Sequence, residues 1–130
     1  MRIAIDANML LAIANDKIDV FSQIRNEFGK KAEIIVPKQI MDELKMLAKQ
    51  NKKNEKAVEI AMHEIEANDV KIQGVDAKNA DEALIALARD GAAIATNDKA
   101  LKKEVKKLNA GIIFTRKRRF LVFSFVNQLF

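Results

Sequence analysis

The chain has 130 residues, with 23 Lys+Arg against 18 Asp+Glu, a formal net charge of +5. Domains commonly run to about 100–150 residues, so residues 1–130 read as one domain. The 49% apolar content excludes intrinsic disorder, and the absence of Cys excludes disulfide scaffolds, Cys-ligated zinc, iron–sulfur clusters and thiol nucleophiles.

In chain order, the first predicted element is a short apolar strand, Ile3–Ile5, ending at Asp6. A helical period follows over Val20–Phe28, then a second apolar strand over Ile34–Val36. Pro37 is placed in the first turn of a helix over Lys38–Gln50. Asn51-Lys52-Lys53-Asn54 breaks it from the next helix, Glu55–Ala67, and Val70–Ile72 is a weaker strand. Asn79-Ala80-Asp81-Glu82 fits a capping box at the head of a helix over Asp81–Arg89, which Gly91 closes. A strand over Ala92–Ala95, a helix over Lys99–Leu108 followed by Gly111, and a strand over Ile112–Phe114 come next. The tail Phe120–Val126 is apolar on both faces: a last strand buried at the sheet edge, or an interface. The strands show no polar alternation, as expected where both faces are covered. Alternating with helices, they predict an α/β fold with a mainly parallel central sheet.

Ligands bind such sheets beyond the carboxyl ends of the strands. Asp6 stands there, although alone it reads first as a helix cap, a task Asn8 can perform equally well. On the helix after Pro37, Glu43 lies at the edge of the arc of Ile40, Leu44, Leu47 and Ala48, while Asp42 points away. Asp81 falls inside the apolar arc of Ala83, Leu84, Ile85, Leu87 and Ala88, so an inward Asp needing a partner is expected. Asp98 starts the last helix directly after the Ala92–Thr96 run, with Thr96 and Asn97 as flanking groups that cap or orient it. Four acids aimed at one side of a sheet repel one another in a low-dielectric site. Divalent cations resolve that repulsion, and an all-oxygen donor set suits Mg²⁺ or Mn²⁺.

At these residues the sequence resembles the PIN domain family of metal-dependent ribonucleases. The resemblance runs from Ile3-Ala4-Ile5-Asp6-Ala7-Asn8 to Ile112-Ile113-Phe114, and its most specific block is Ala95-Thr96-Asn97-Asp98-Lys99-Ala100-Leu101. It implies a three-layer α/β/α fold. It makes Asp6, Glu43, Asp81 and Asp98 both the catalytic set and the ligands of one or two Mg²⁺ or Mn²⁺ ions, with Asn8, Thr96 and Asn97 supporting them. Some members carry a further Asp where Asn97 stands. The implied reaction is endonucleolytic hydrolysis of RNA, leaving a 5′-phosphate and a 3′-hydroxyl. Within the family, the Thr-Asn-Asp-Lys block and the basic run are similar to archaeal relatives of an rRNA-processing nuclease. VapC-type toxins share the same four acids. The resemblance further implies a homodimer, with an antitoxin or a ribosome-assembly factor as partner.

Other chemistries are poorly supplied. Ser22 and Ser124 sit in no nucleophile-elbow motif, there is no Gly-rich phosphate loop, and His63 lies opposite its helix's apolar stripe, where solvent exposure is expected. The basic balance points to nucleic acid before a membrane surface. Lys99, Lys102 and Lys103 on the last helix, and Arg116, Lys117, Arg118 and Arg119 after the last clear strand, are the candidate RNA contacts, a solvated face being the alternative for the lysines. No apolar run reaches the roughly 18–20 residues of a membrane helix, and the expected location is cytoplasmic. A non-catalytic RNA-binding assembly factor remains the alternative outside enzymes.

Overall fold

The computed structural model describes residues 1–125. Six strands form one sheet: β1 (Arg2–Ile5), β2 (Glu33–Pro37), β3 (Lys71–Gln73), β4 (Ala93–Ala95), β5 (Ile112–Arg116) and β6 (Phe120–Ser124). Their spatial order is β3-β2-β1-β4-β5-β6. Every pairing is parallel except β5 with β6. Six helices fill the connections: α1 (Ala7–Asn15), α2 (Val20–Phe28), α3 (Lys38–Ala48), α4 (Lys52–Ala67), α5 (Ala80–Arg89) and α6 (Lys99–Lys107). No helix is long and apolar enough to cross a membrane among the described residues.

β1 is the centre of the sheet. Ile3 lies opposite Ile34 on one side and Ala93 on the other. Ile3, Ala4 and Ile5 are consecutive and all fully buried, so both faces of the strand are covered, as the unbroken apolar run requires. Helices α1, α3 and α4 pack against one another, and α5 packs on α3 and α6. The expected three-layer arrangement is therefore present.

Several local expectations are corrected. α1 escaped the periodicity because ANMLLAIAN is apolar almost all round, and a helix without a polar face shows no 3.6-residue alternation. Pro37 is not in the first turn of α3. It ends β2 and precedes the helix, with φ −59° and ψ 147°. Its neighbour Lys38 starts α3, which ends at Ala48, two residues early. α4 begins at Lys52 rather than Glu55, because Asn51 caps it by accepting from Asn54 N–H at 2.8 Å. In the capping box, Asn79 accepts from Glu82 N–H at 2.9 Å, but Glu82 reaches back to Lys78 N–H rather than to Asn79. At the end of α6 it is Asn109, with φ 58°, that takes the left-handed position. Gly111 instead lies buried beneath the Phe125 ring, where a Cβ would collide.

The tail forms β6, with Leu121 buried, Phe120 44% exposed and Val122 and Phe123 half-buried, so it is less buried than expected. Val126 lies outside the described residues. Phe28 meets Phe123 and Phe125 edge-on at 5.4 and 5.5 Å, which anchors the strand to α2. The outward Leu121 N–H donates to Gln23 Oε1 at 2.9 Å, which occupies a donor that an edge strand would otherwise present to another chain.

Candidate active site

The order of strands reverses at β1 and β4, which are the strands that deliver Asp6 and Asp98. Asp6 still belongs to the ladder, its N–H donating to Ala95 O at 2.9 Å. It then caps α1, Oδ1 accepting from Ala7 N–H at 2.8 Å. Its Oδ2 accepts from the Thr96 hydroxyl at 2.6 Å and from Asn8 Nδ2 at 3.2 Å. Asp6 is 6% exposed and Thr96 is fully buried; they are the two buried polar side chains among the described residues.

Thr96 also links Asp6 to Asp98, since its Oγ1 accepts from Asp98 N–H at 3.1 Å. Asp98 caps α6 through Oδ1, which accepts from Ala100 and Leu101 N–H at 2.9 and 3.1 Å, while the carboxylate stays exposed. The cap reading and a ligand reading are therefore compatible, because Oδ2 is not used in the cap. Asn8 ties the same two loops, its Oδ1 accepting from Asn97 N–H at 3.2 Å. The Asn97 side chain turns elsewhere. Its Oδ1 accepts from Thr115 N–H at 2.8 Å and so braces the loop on β5, in place of the orienting contact with the acids that was expected.

Glu43 projects from α3 half-buried, and Asp81 stands in the first turn of α5. Asp81 is exposed, which corrects the inward placement. The helical wheel gave its angle correctly, but the first turn of α5 runs past the end of the packed stripe and meets an opening. That opening is a cleft of about 450 Å³ lined by Gln39, Glu43, Met46, Lys78 and Asp81, among others. Asp42, set aside because it points away from the apolar arc, also lines it. Sequence reasoning missed Gln39 as well. Its Nε2 donates to Val75 O at 2.6 Å and Ala77 O at 3.1 Å, joining α3 to the segment before α5, and its Oε1 is buried without a partner among the described residues. Nothing in an isolated Gln on an amphipathic helix announces that role.

The electrostatics tie the acids into one centre. Burial pushes the Asp6 carboxyl above its ordinary value; Asp81 and Asp98 push the same way, against the Thr96 and Ala7 hydrogen bonds. Burial also raises Glu43, with Asp6 and Asp81 adding to it. The ion pairs among the described residues, Lys71–Glu33 and Lys107–Glu104, lie elsewhere. No three acids among the described residues stand close enough to grip one cation as placed. The donor set nonetheless fits a hard divalent ion: it is all oxygen, mutually repulsive and engaged in no ion pair among the described residues. His63 is exposed on α4, as expected.

Comparison with known proteins agrees with this geometry. The profile of the PIN like domain family matches residues 3–118. The chain is 29% identical over 124 residues to ribonuclease VapC4 of Methanocaldococcus jannaschii, covering 92% of this chain and 93% of that one. Its fold is similar to that of the PIN domain endonuclease Utp24, with a TM-score of 0.75 at 20% identity over 96% of this chain and 95% of that one. It is also similar to a domain of a protein of unknown function from Methanocaldococcus jannaschii, with a TM-score of 0.56 at 14% identity, covering 88% and 91%. The segment from Ile3 to Arg118, which delivers all four acids, is thus the matched segment, and the chain belongs to the PIN-like domain family.

Proposed function

We propose that the protein is a Mg²⁺- or Mn²⁺-dependent endoribonuclease acting in RNA processing. One observation carries the reading: a buried Asp6, hydrogen-bonded through Thr96 to the Asp98 loop, raised in pKa by burial and further by Asp81 and Asp98, and engaged in no ion pair among the described residues. A carboxylate that only capped α1 needs neither burial nor three acidic neighbours. The likeness to a ribonuclease of 29% identity supports RNA as the substrate class.

Asp6, Asp81 and Asp98 would hold the cation, and Glu43 would hold a second one or orient the attacking water. When bound, the cation supplies Lewis acidity and neutralises the charge that gathers on the phosphodiester. The chain does the rest. Thr96 and Asn8 fix the Asp6 carboxylate, Asn97 braces its loop on β5, and Gln39 holds Glu43's helix against the segment leading to Asp81. Lys99, Lys102, Lys103 and the Arg116–Arg119 hairpin would meet the phosphate backbone.

The second reading is a toxin of a toxin–antitoxin pair, which the VapC4 likeness favours. The chemistry is the same, and the partner differs. A homodimer belongs to the same proposal, and sedimentation equilibrium reads it.

The test is cleavage of a labelled structured RNA in Mn²⁺ by wild type and Asp6→Asn, with and without EDTA. Cleavage that EDTA and the substitution both abolish is expected. Equal cleavage by wild type and Asp6→Asn would overturn the assignment.

A further inference from the structure

Beside the acidic centre lies a second opening, of about 600 Å³, between α6 and the last two strands. One wall is Lys99, Lys102, Lys103 and Lys106. Their spacing of three, one and three residues places them on one face of α6. The floor is apolar, built from Ile112 and Phe114 of β5. The Lys102 ammonium lies 4.6 Å from the centre of the Phe114 ring. Among the described residues none lining the groove is acidic, and the one acid of α6, Glu104, is engaged by Lys107 at 3.3 Å.

The groove's first lysine lies next to one of the four acids, because Asp98 is the cap of the same helix and Lys99 its first residue. From Lys99 to Lys106 the helix rises about 10 Å, the length of roughly three stacked nucleotides at about 3.4 Å each. A row of ammonium groups that make no ion pair among the described residues selects a polyanion. An aromatic floor selects one that carries exposed ring faces. Paired bases hide their faces in the stack, so a duplex cannot use the floor.

We propose that this groove holds the single-stranded RNA that leads away from the scissile bond, its phosphates on the α6 lysines and one base on Phe114. The strand's identity rests on the endoribonuclease reading; the groove's charge and floor do not. In the free protein Lys102 rests on the ring through a weak cation–π contact. A phosphate draws Lys102 away, and the ring is then open to the base.

The test uses a fluorescein-labelled oligouridylate 12-mer and EDTA-treated protein, read by anisotropy, so that binding is measured without cleavage. The double substitution Lys103→Gln/Lys106→Gln should weaken binding about tenfold and make the log–log salt slope shallower by about 1.4, at about 0.7 per phosphate contact. Phe114→Leu should weaken the single strand several-fold and leave an RNA duplex unchanged. Lys52→Gln/Lys53→Gln on α4 removes the same charge elsewhere and should do neither. Unchanged melting temperatures confirm that each variant is folded. Equal loss in the α4 control, no loss in the groove variants, or equal affinity for polyglutamate would overturn the proposal. If binding depends on the groove but Mn²⁺ gives no cleavage, the groove stands and the endoribonuclease reading falls. If Mn²⁺ gives cleavage but binding ignores the groove, the reverse holds.

Discussion

The Thr96 hydroxyl donates to Asp6 Oδ2 at 2.6 Å across 90 residues of sequence, and the same oxygen receives the Asp98 N–H. One buried side chain thus holds both ends of the acidic centre. Thr96→Val keeps the shape and removes the donor. It should destabilise the fold by about 1–3 kcal/mol in urea unfolding, because Asp6 stays buried and loses a partner. Thr96→Ser should recover most of the loss.

The raised pKa of Asp6 gives a pH prediction with a definite sign. A carboxyl whose folded value lies above its unfolded one favours the fold only while protonated. That contribution is complete below the ordinary Asp range and is lost as pH rises through the folded value. Ionising the buried Asp6 therefore works against the metal-free fold. Metal-free Asp6→Asn should melt a few degrees higher than wild type at pH 7, and the gap should close as pH falls into the carboxylate range.

Metal should reverse that ranking. An ion that binds only the folded state raises its melting temperature by mass action. Mn²⁺ should raise wild type and leave Asp6→Asn unmoved, in a thermal scan that needs no substrate. An equal shift in both proteins would place the ion elsewhere.

Gln39 makes a separate prediction. Its amide bridges α3 to the carbonyls of Val75 and Ala77. Gln39→Leu leaves both carbonyls short of a donor and should destabilise by about 1–3 kcal/mol. Cleavage should fall further than stability explains, in kcat more than KM, because Glu43 and Asp81 lose the brace between their elements.

The β5–β6 hairpin stores strain at its basic tip. Lys117 and Arg118 have φ of 55° and 52°, and Arg119 N–H donates to Arg116 O at 3.2 Å. In this three-residue connection the two central turn positions are left-handed, where Asn and Gly are favoured, and another side chain there costs about 1–2 kcal/mol. Lys117→Asn/Arg118→Gly should raise stability by about that much and lower RNA affinity, measured by thermal melts and anisotropy. A gain in both would remove the tip from the RNA contacts.

The frame of the fold was legible because its central strands carry unbroken apolar runs, closed by Asp6, Pro37, Thr96 and Thr115. The acids were legible for the same reason: Asp6 and Asp98 follow such runs within a few residues. What failed is what a helical wheel cannot represent. A wheel gives the angle of Asp81 and Asp42 about the axis, but not that their segments face an opening. Gln39, Asn97 and Thr96 bond across 36, 18 and 90 residues. Only the packed sheet brings those partners together. α1 was hidden by its own apolarity, and the hairpin by a Lys-Arg pair where turn chemistry predicts Asn-Gly.

The 90-residue span between Asp6 and Thr96 also fixes when the centre can exist. At roughly 5–20 residues per second, a growing chain exposes Asp6 several seconds before Thr96 is made. β1 meanwhile lacks β4, the neighbour on which the Asp6 N–H is anchored. On the proposed reading, a nuclease is thereby made without its acids assembled, and its centre can form only after Thr96 and Asp98 have been synthesised.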